Sequence, residues 1–260
     1  MWGTLRASYR LLRVFLHLGE GIWISARYGS PRGSGDELCR RRRAFYRRAL
    51  ELSGIELEIT GEPIPGSALV VGNHVSWLDI PVLGTCLDVR FLSKAEVARW
   101  PLIGWLARRN GTLFIRRGAH ESEALIRTIG TALRQGDQVA VFPEATTTDG
   151  SDVRHFHARL FAAAVDTLSP VQPVAFDYGR EPDGSPPAAA FTAGIGVLRH
   201  AWRLLMRERT FVRLHILHPL PVGPGTTRRE LASRSRAVIR AEVVLPLRHE
   251  VASTEKKGPD

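Results

Sequence analysis

The apolar positions of this chain follow two periods, and their alternation along the sequence predicts an α/β fold. Trp2, Leu5, Tyr9, Leu12 and Leu16 recur at helical spacing, and Leu11, Phe15 and Leu18 widen that face. Arg6, Arg10, Arg13 and His17 form a neighbouring basic stripe, so residues 2–18 read as an amphipathic helix. A Gly/Ser/Pro-rich break spans 28–35. A second helix is expected over 36–52, with Asp36 as its N-cap and Phe45, Ala49 and Leu52 as its apolar stripe. Ile55 to Thr60 alternates cleanly and reads as a half-buried strand, whereas Ala68-Leu69-Val70-Val71-Gly72 is a continuous apolar run and reads as a buried one.

Further strands are expected at 89–93, 112–115, 138–142, 171–176 and 211–217. Helices fall between them: one beginning at Ile80, one covering part of 94–109, then 120–134, 156–168, 197–208 and 227–243. Strands alternating with helices imply a mostly parallel central sheet covered by helices. Residues 1–54 are read as an N-terminal pair of amphipathic basic helices, 55–248 as the α/β domain and 249–260 as a polar, disordered tail.

Charge narrows the choice of partner. The 260 residues hold 36 Lys and Arg against 26 Asp and Glu, a formal charge of +10, which favours an anionic partner. Arg40, Arg41, Arg42, Arg43, Arg47 and Arg48 cluster on the second helix. No aromatic-rich strand of an RNA-recognition fold accompanies them, so an anionic membrane surface is expected and a nucleic acid is not. The two cysteines form no CxxC pair, which argues against a cysteine-type zinc site and a disulfide framework and suits a reducing compartment. The longest apolar candidate, Leu11 to Ile24, is interrupted by Arg13, His17 and Glu20. The chain is therefore expected to sit peripherally or monotopically on the cytoplasmic face of the cell membrane.

Candidate chemistry lies at the end of the buried strand, in Asn73-His74-Val75-Ser76-Trp77-Leu78-Asp79. A turn that folds back would set the Asp79 carboxylate against the His74 imidazole, fixing its tautomer and stabilising the imidazolium. A His near an Asp at a strand end also serves as a simple capping pair. The sequence then adds three ordered segments: Gly111-Thr112-Leu113-Phe114-Ile115-Arg116-Arg117, Val141-Phe142-Pro143-Glu144-Ala145-Thr146 and Val171-Gln172-Pro173-Val174. With His74-x4-Asp79, this set resembles the four motifs of the glycerolipid acyltransferases, whose bacterial members include the 1-acylglycerol-3-phosphate acyltransferases.

The resemblance implies a membrane-associated acyltransferase. His74, held by Asp79, would take the proton of an acceptor hydroxyl as it attacks an acyl thioester carried by coenzyme A or acyl carrier protein. Arg117 would hold the acceptor's phosphate. Glu144 would bind the acceptor, with Thr146 or Arg117 as partner for its carboxylate. Gly111 and Phe114, from the second motif, join the expected binding residues. The run Trp100-Pro101-Leu102-Ile103-Gly104-Trp105-Leu106 either lines an acyl-chain groove or packs in the core, and the core is the first expectation. No serine sits in a G-x-S-x-G elbow, so direct transfer without an acyl-enzyme is expected. No metal or other cofactor is expected, and His155 and His157 read as loop or helix-end residues.

Two positions depart from the family pattern. Ala145 replaces the usual Gly, which predicts a backbone there without strongly positive φ. Thr147 stands where many members carry Arg, and similar variants include acyltransferases acting on lyso-ornithine lipid. The first expected acceptor is 1-acyl-sn-glycerol-3-phosphate, giving phosphatidic acid. The alternatives are another lyso-lipid such as lyso-ornithine lipid, or a non-catalytic lipid-binding protein.

Overall fold

The computed structural model describes residues 2–30, 35–115, 121–192 and 194–255. A seven-stranded sheet forms its centre, and the expected α/β architecture is the one observed. The strands are β1 (Ile55–Thr60), β2 (Ala68–Gly72), β3 (Val89–Lys94), β4 (Leu113–Ile115), β5 (Gln138–Val141), β6 (Val171–Asp177) and β7 (Thr210–Ile216), in the order β1-β7-β6-β2-β5-β3-β4. Five of them, from β6 to β4, run parallel. The β1–β7 pair is parallel within itself, but β7 lies antiparallel to β6, so the pair runs against the rest.

Side chains of β2 alternate between two cores, as the strand period requires. Leu69 and Val71 join Val139, Val141, Val171 and Ala175 on one face. That face is covered by Ile129 and Leu133 of α5 (Glu121–Arg134), Ala163 and Ala164 of α6 (Ala162–Thr167), and Leu231 and Ile239 of α8 (Arg228–Glu255). Val70 joins Ala140, Val174 and Phe176 on the other. There the cover is Leu50 of α2 (Asp36–Ser53), Val82 and Leu83 of α3 (Asp79–Leu83), and Leu204 of α7 (Val197–Met206). Each such buried Val, Leu, Ile or Phe contributes roughly 1.5–3 kcal/mol.

Several elements differ from their sequence reading. The first helix, α1, continues past its expected end at residue 18 and spans Trp2–Tyr28, stopping at the expected Gly/Ser/Pro-rich break. Its Gly21 faces the Phe45 ring of α2 so closely that a Cβ would lie 2.8 Å from it, so this helical glycine is a packing notch. Asp36 is not the cap: Gly35 is, and Asp36 and Glu37 occupy the first turn, where negative charge suits the helix dipole. The expected 156–168 helix is a 3-10 turn, Ala158–Phe161, followed by α6. Helix α8 continues to Glu255 through much of the segment read as tail, and residues 256–260 lie outside the described residues.

The orientation of α1 is the main surprise. Its basic stripe turns inward. Arg10 donates to the carbonyls of Leu205, at 3.2 Å, Arg207, at 2.6 Å, and Glu208, at 2.9 Å, while Arg6 reaches Met206 at 3.1 Å. Two guanidinium groups thus satisfy the orphan carbonyls at the end of α7. Gly54, in the left-handed conformation after α2, leaves room for Arg10, since a Cβ there would meet its guanidinium at 2.1 Å. The apolar face turns outward, with Trp2 83 %, Phe15 70 % and Leu16 67 % exposed.

Candidate active site

The site is assembled at the carboxyl ends of β2, β5 and β6, the usual place for a ligand in a parallel sheet. Asn73 follows β2 and is buried. Its side-chain amide donates to the Phe176 carbonyl at 2.9 Å and its oxygen accepts the Phe176 N–H at 2.8 Å, tying the end of β2 to β6. The chain then turns, and Asp79 opens α3.

Asp79 is fully buried, yet both of its oxygens are saturated. Oδ2 accepts from the backbone N–H groups of Val75, at 2.9 Å, and Ser76, at 3.0 Å, and meets His74 Nδ1 at 2.8 Å. Oδ1 accepts from the Tyr178 hydroxyl at 2.7 Å. A carboxylate can only accept here, so Nδ1 carries the proton and Nε2 presents a lone pair. The imidazole stacks on Phe142 with centroids 4.2 Å apart, and the His74 side chain keeps 20 % exposure. The arrangement is that of an imidazole oriented by a buried carboxylate and still reached by solvent.

Phe142 leaves the end of β5, followed by Pro143 and Glu144. Glu144 is buried, and its carboxylate joins two loops: Oε1 accepts from the His74 N–H at 2.8 Å and Oε2 from the Arg154 N–H at 2.9 Å. Burial pushes its pKa up, against the opposing effect of those two hydrogen bonds. Thr146 does not pair with it: the residue is exposed and its hydroxyl turns to the Thr147 carbonyl at 3.5 Å. Ala145 corrects the expectation of ordinary backbone, because its φ is 60°. The two loops held by Glu144 force the turn, and a left-handed alanine costs about 1 kcal/mol. Thr147 donates its hydroxyl to the Phe191 carbonyl, and Thr148 donates its N–H to the His74 carbonyl at 2.8 Å.

The described part of the second motif, 111–115, leads into and forms the edge strand β4, separated from β5 by β3. Gly111 is buried with φ 76°, and its carbonyl accepts from Arg90 Nε at 2.8 Å; it makes the turn between α4 (Pro101–Arg109) and β4. Phe114 lies half-buried on β4. Arg117, the expected phosphate holder, lies outside the described residues. Tyr178 was missed by sequence reasoning. Its only local signal is an aromatic hydroxyl just past an apolar strand; its partner is 99 residues away. Among the described residues no group of three or more His, Cys, Asp or Glu side chains could hold a metal. His155 and His157 are exposed, with rings 6.1 Å apart.

Beside the site lies an apolar cavity of about 400 Å³, lined by Leu18 and Ile24 of α1, Phe45 of α2, Phe91 of β3, and Ile103 and Leu106 of α4. Ile80, next to Asp79, also lines it. The run 100–106 is therefore not simply core: Trp100 is 53 %, and Leu102 and Ile103 each 51 %, exposed.

Comparison with known proteins gives a consistent picture. The acyltransferase family model matches residues 56–177. A lyso-ornithine lipid O-acyltransferase of Pseudomonas aeruginosa is 42 % identical over 91 % of this chain and 91 % of its own length. A 1-acyl-sn-glycerol-3-phosphate acyltransferase of Neisseria meningitidis is 31 % identical over 73 % of this chain and 74 % of its own. The crystal structure of a 1-acyl-sn-glycerophosphate acyltransferase from Thermotoga maritima superposes with a TM-score of 0.67 at 20 % identity, covering 92 % of this chain and 93 % of that one.

Proposed function

We propose, from the premise that this chain belongs to the glycerolipid acyltransferase family and is an acyltransferase of lysophospholipid type, that its acceptor is lyso-ornithine lipid and its donor a long-chain acyl thioester of coenzyme A or acyl carrier protein. The observation that carries the chemistry is the oriented base. His74 Nε2 takes the acceptor hydroxyl's proton as its oxygen attacks the thioester carbonyl, and the collapsing intermediate expels the thiolate, which recovers the proton. A positioned base supplies roughly 10²- to 10⁴-fold, and the remainder comes from holding the two substrates together. The reading requires no metal or nucleotide cofactor.

The choice of acceptor rests on Thr147. Where the family pattern has a cation, this chain has a hydroxyl already committed to the Phe191 carbonyl. That favours a headgroup with less negative charge than a phosphate monoester. The similarity to the Pseudomonas protein supports the same reading. Acylation of 1-acyl-sn-glycerol-3-phosphate is the second reading, favoured by the Neisseria relative.

Membrane association belongs to the same proposal. The outward face of α1 and the exposed Trp100, Leu102 and Ile103 of α4 suit the headgroup boundary of a bilayer. Among the described residues, no helix is long and apolar enough to cross a membrane; a peripheral position on the cytoplasmic face is part of the proposal. The cavity between α1, α2 and α4 is suited to an acyl chain. The test is thiol release from long-chain acyl-coenzyme A with each lyso-lipid in turn, beside His74→Ala. Turnover with lyso-ornithine lipid that disappears in the variant is expected. Turnover with 1-acylglycerol 3-phosphate alone would move the acceptor to the second reading.

A further inference from the structure

The turn between His74 and Asp79 is held from inside by Asp79 and from outside by a histidine that the mechanism does not use. His200 of α7 is only 2 % exposed. Its Nδ1 lies 3.0 Å from Trp77 Nε1. An indole N–H can only donate, so Nδ1 holds the lone pair and Nε2 carries the proton. That N–H meets the carbonyls of Ala188 and Ala190, each at 3.1 Å. Burial pushes the imidazole's pKa down, with Arg203 adding to the shift, which agrees with this neutral form.

The carbonyls that His200 holds belong to a short segment, 188–191, that also grips the catalytic turn. Phe191 donates its N–H to the Val75 carbonyl at 2.8 Å and accepts from Thr147 at its own carbonyl. Its ring lies 5.2 Å from the His200 ring. The segment's other end is fixed by Glu181, whose Oε1 accepts the Ala188 N–H at 2.9 Å. Trp77 thus reaches His200 by its side chain while Val75 reaches the same segment by its backbone.

We propose that His200 is a positioning residue for acyl transfer: acting through Trp77 and the 188–191 segment, it fixes the 75–78 turn and so the aim of His74 Nε2. This rests on the reading of His74 as the base. A packing role alone would be met by a phenyl ring, whereas this position uses an acceptor on one edge and a donor on the other. Misplacing a catalytic group by about 1 Å reduces rate by roughly 10²-fold, so a loosened turn should be felt in turnover more than in binding.

The test uses the full chain in detergent, long-chain acyl-coenzyme A and each of the two lyso-lipids. It compares His200→Gln, His200→Phe, Trp77→Phe and the double variant Trp77→Phe/His200→Phe with His74→Ala. Glutamine keeps an acceptor for Trp77 and a donor for the two carbonyls; phenylalanine keeps only volume. His200→Phe should lower kcat by about 10- to 100-fold with KM changed less than about 2-fold. His200→Gln should recover most of that loss. Trp77→Phe should lower kcat in the same way, and the double variant should be no worse than the poorer single one. Should His200→Phe not fold, Trp77→Phe and His200→Gln decide the matter by the same split. Equal kcat in the Gln and Phe variants, a loss confined to KM, or additive effects would overturn the proposal. A silent His74→Ala beside a fully active His200→Phe would overturn positioning alone. An active His74→Ala would overturn the base reading and this proposal with it.

Discussion

The catalytic turn and the outer face of α1 are opposite solutions to the same problem of partnership. In the turn, the buried carboxylates are matched: Asp79 has four hydrogen-bond partners and Glu144 has two, while the Ser76 hydroxyl is buried without one among the described residues. On α1, large apolar groups such as Trp2, Phe15 and Leu16 stand in solvent unmatched, while the arginines beside them are spent on the protein's own carbonyls. A buried carboxylate without partners would be costly, so the charges of the turn are satisfied within the protein. Exposed apolar surface of this extent is unusual without a partner, which is what the proposed membrane association would supply to α1. One region is prepared for a transition state, the other for an environment.

The sharpest way to break the contrast is Asp79→Asn. It replaces an oxygen that accepts three hydrogen bonds or one that accepts Tyr178, and it presents an amide N–H to groups that need an acceptor. Turnover should fall by roughly 10²- to 10⁴-fold. Activity within 2-fold of wild type would mean that the pair is only a cap. Next in size is Phe15→Asp with Leu16→Asp. Both residues are two-thirds exposed or more, so the fold should hold, while retention on anionic vesicles in a sedimentation assay should drop by about 10- to 100-fold. Unchanged retention would separate α1 from membrane binding.

Tyr178→Phe tests whether the buried end of the dyad matters. It removes one hydrogen bond to Asp79, worth about 1.5–3 kcal/mol for a charged acceptor, and should lower kcat by roughly 10-fold or more without changing the acceptor preference. The hydroxyl's pKa is raised first by burial and then by the Asp79 charge, so it stays protonated and donating throughout the working range. The smallest effect is expected from Ala145→Gly. Relief of the left-handed backbone should stabilise the protein by about 0.5–1 kcal/mol, read as a rise of a few degrees in the thermal midpoint with turnover unchanged. A lower midpoint would mean that the turn is not strained.

What the sequence revealed follows from the range of the interactions involved. The strand, turn and helix around His74 are encoded within a dozen residues, and both the fold class and the His74–Asp79 contact were legible there. Glu144 was legible as a site position, but its partners were not, because they are backbone groups brought in by the 74 and 154 loops. The same tertiary ties produced the positive φ at Ala145, where a missing glycine reads as a relaxed backbone. Tyr178 and His200 act across 99 and 123 residues and leave no local pattern beyond a polar group among apolar neighbours. The second half of α1 was hidden for a similar reason: past Leu18 it is held by tertiary packing, as where Gly21 admits the Phe45 ring of α2.

The clamp of Arg6 and Arg10 on the end of α7 makes α1 part of the rigid body and not a leash. At 27 residues α1 is about 40 Å long, and it carries its greasy side like a keel. A leashed enzyme would tumble above its surface and meet its lipid at any angle. On the membrane association proposed above, a keeled one would ride at fixed height and heading, and its search for a lyso-lipid would become a search in two dimensions.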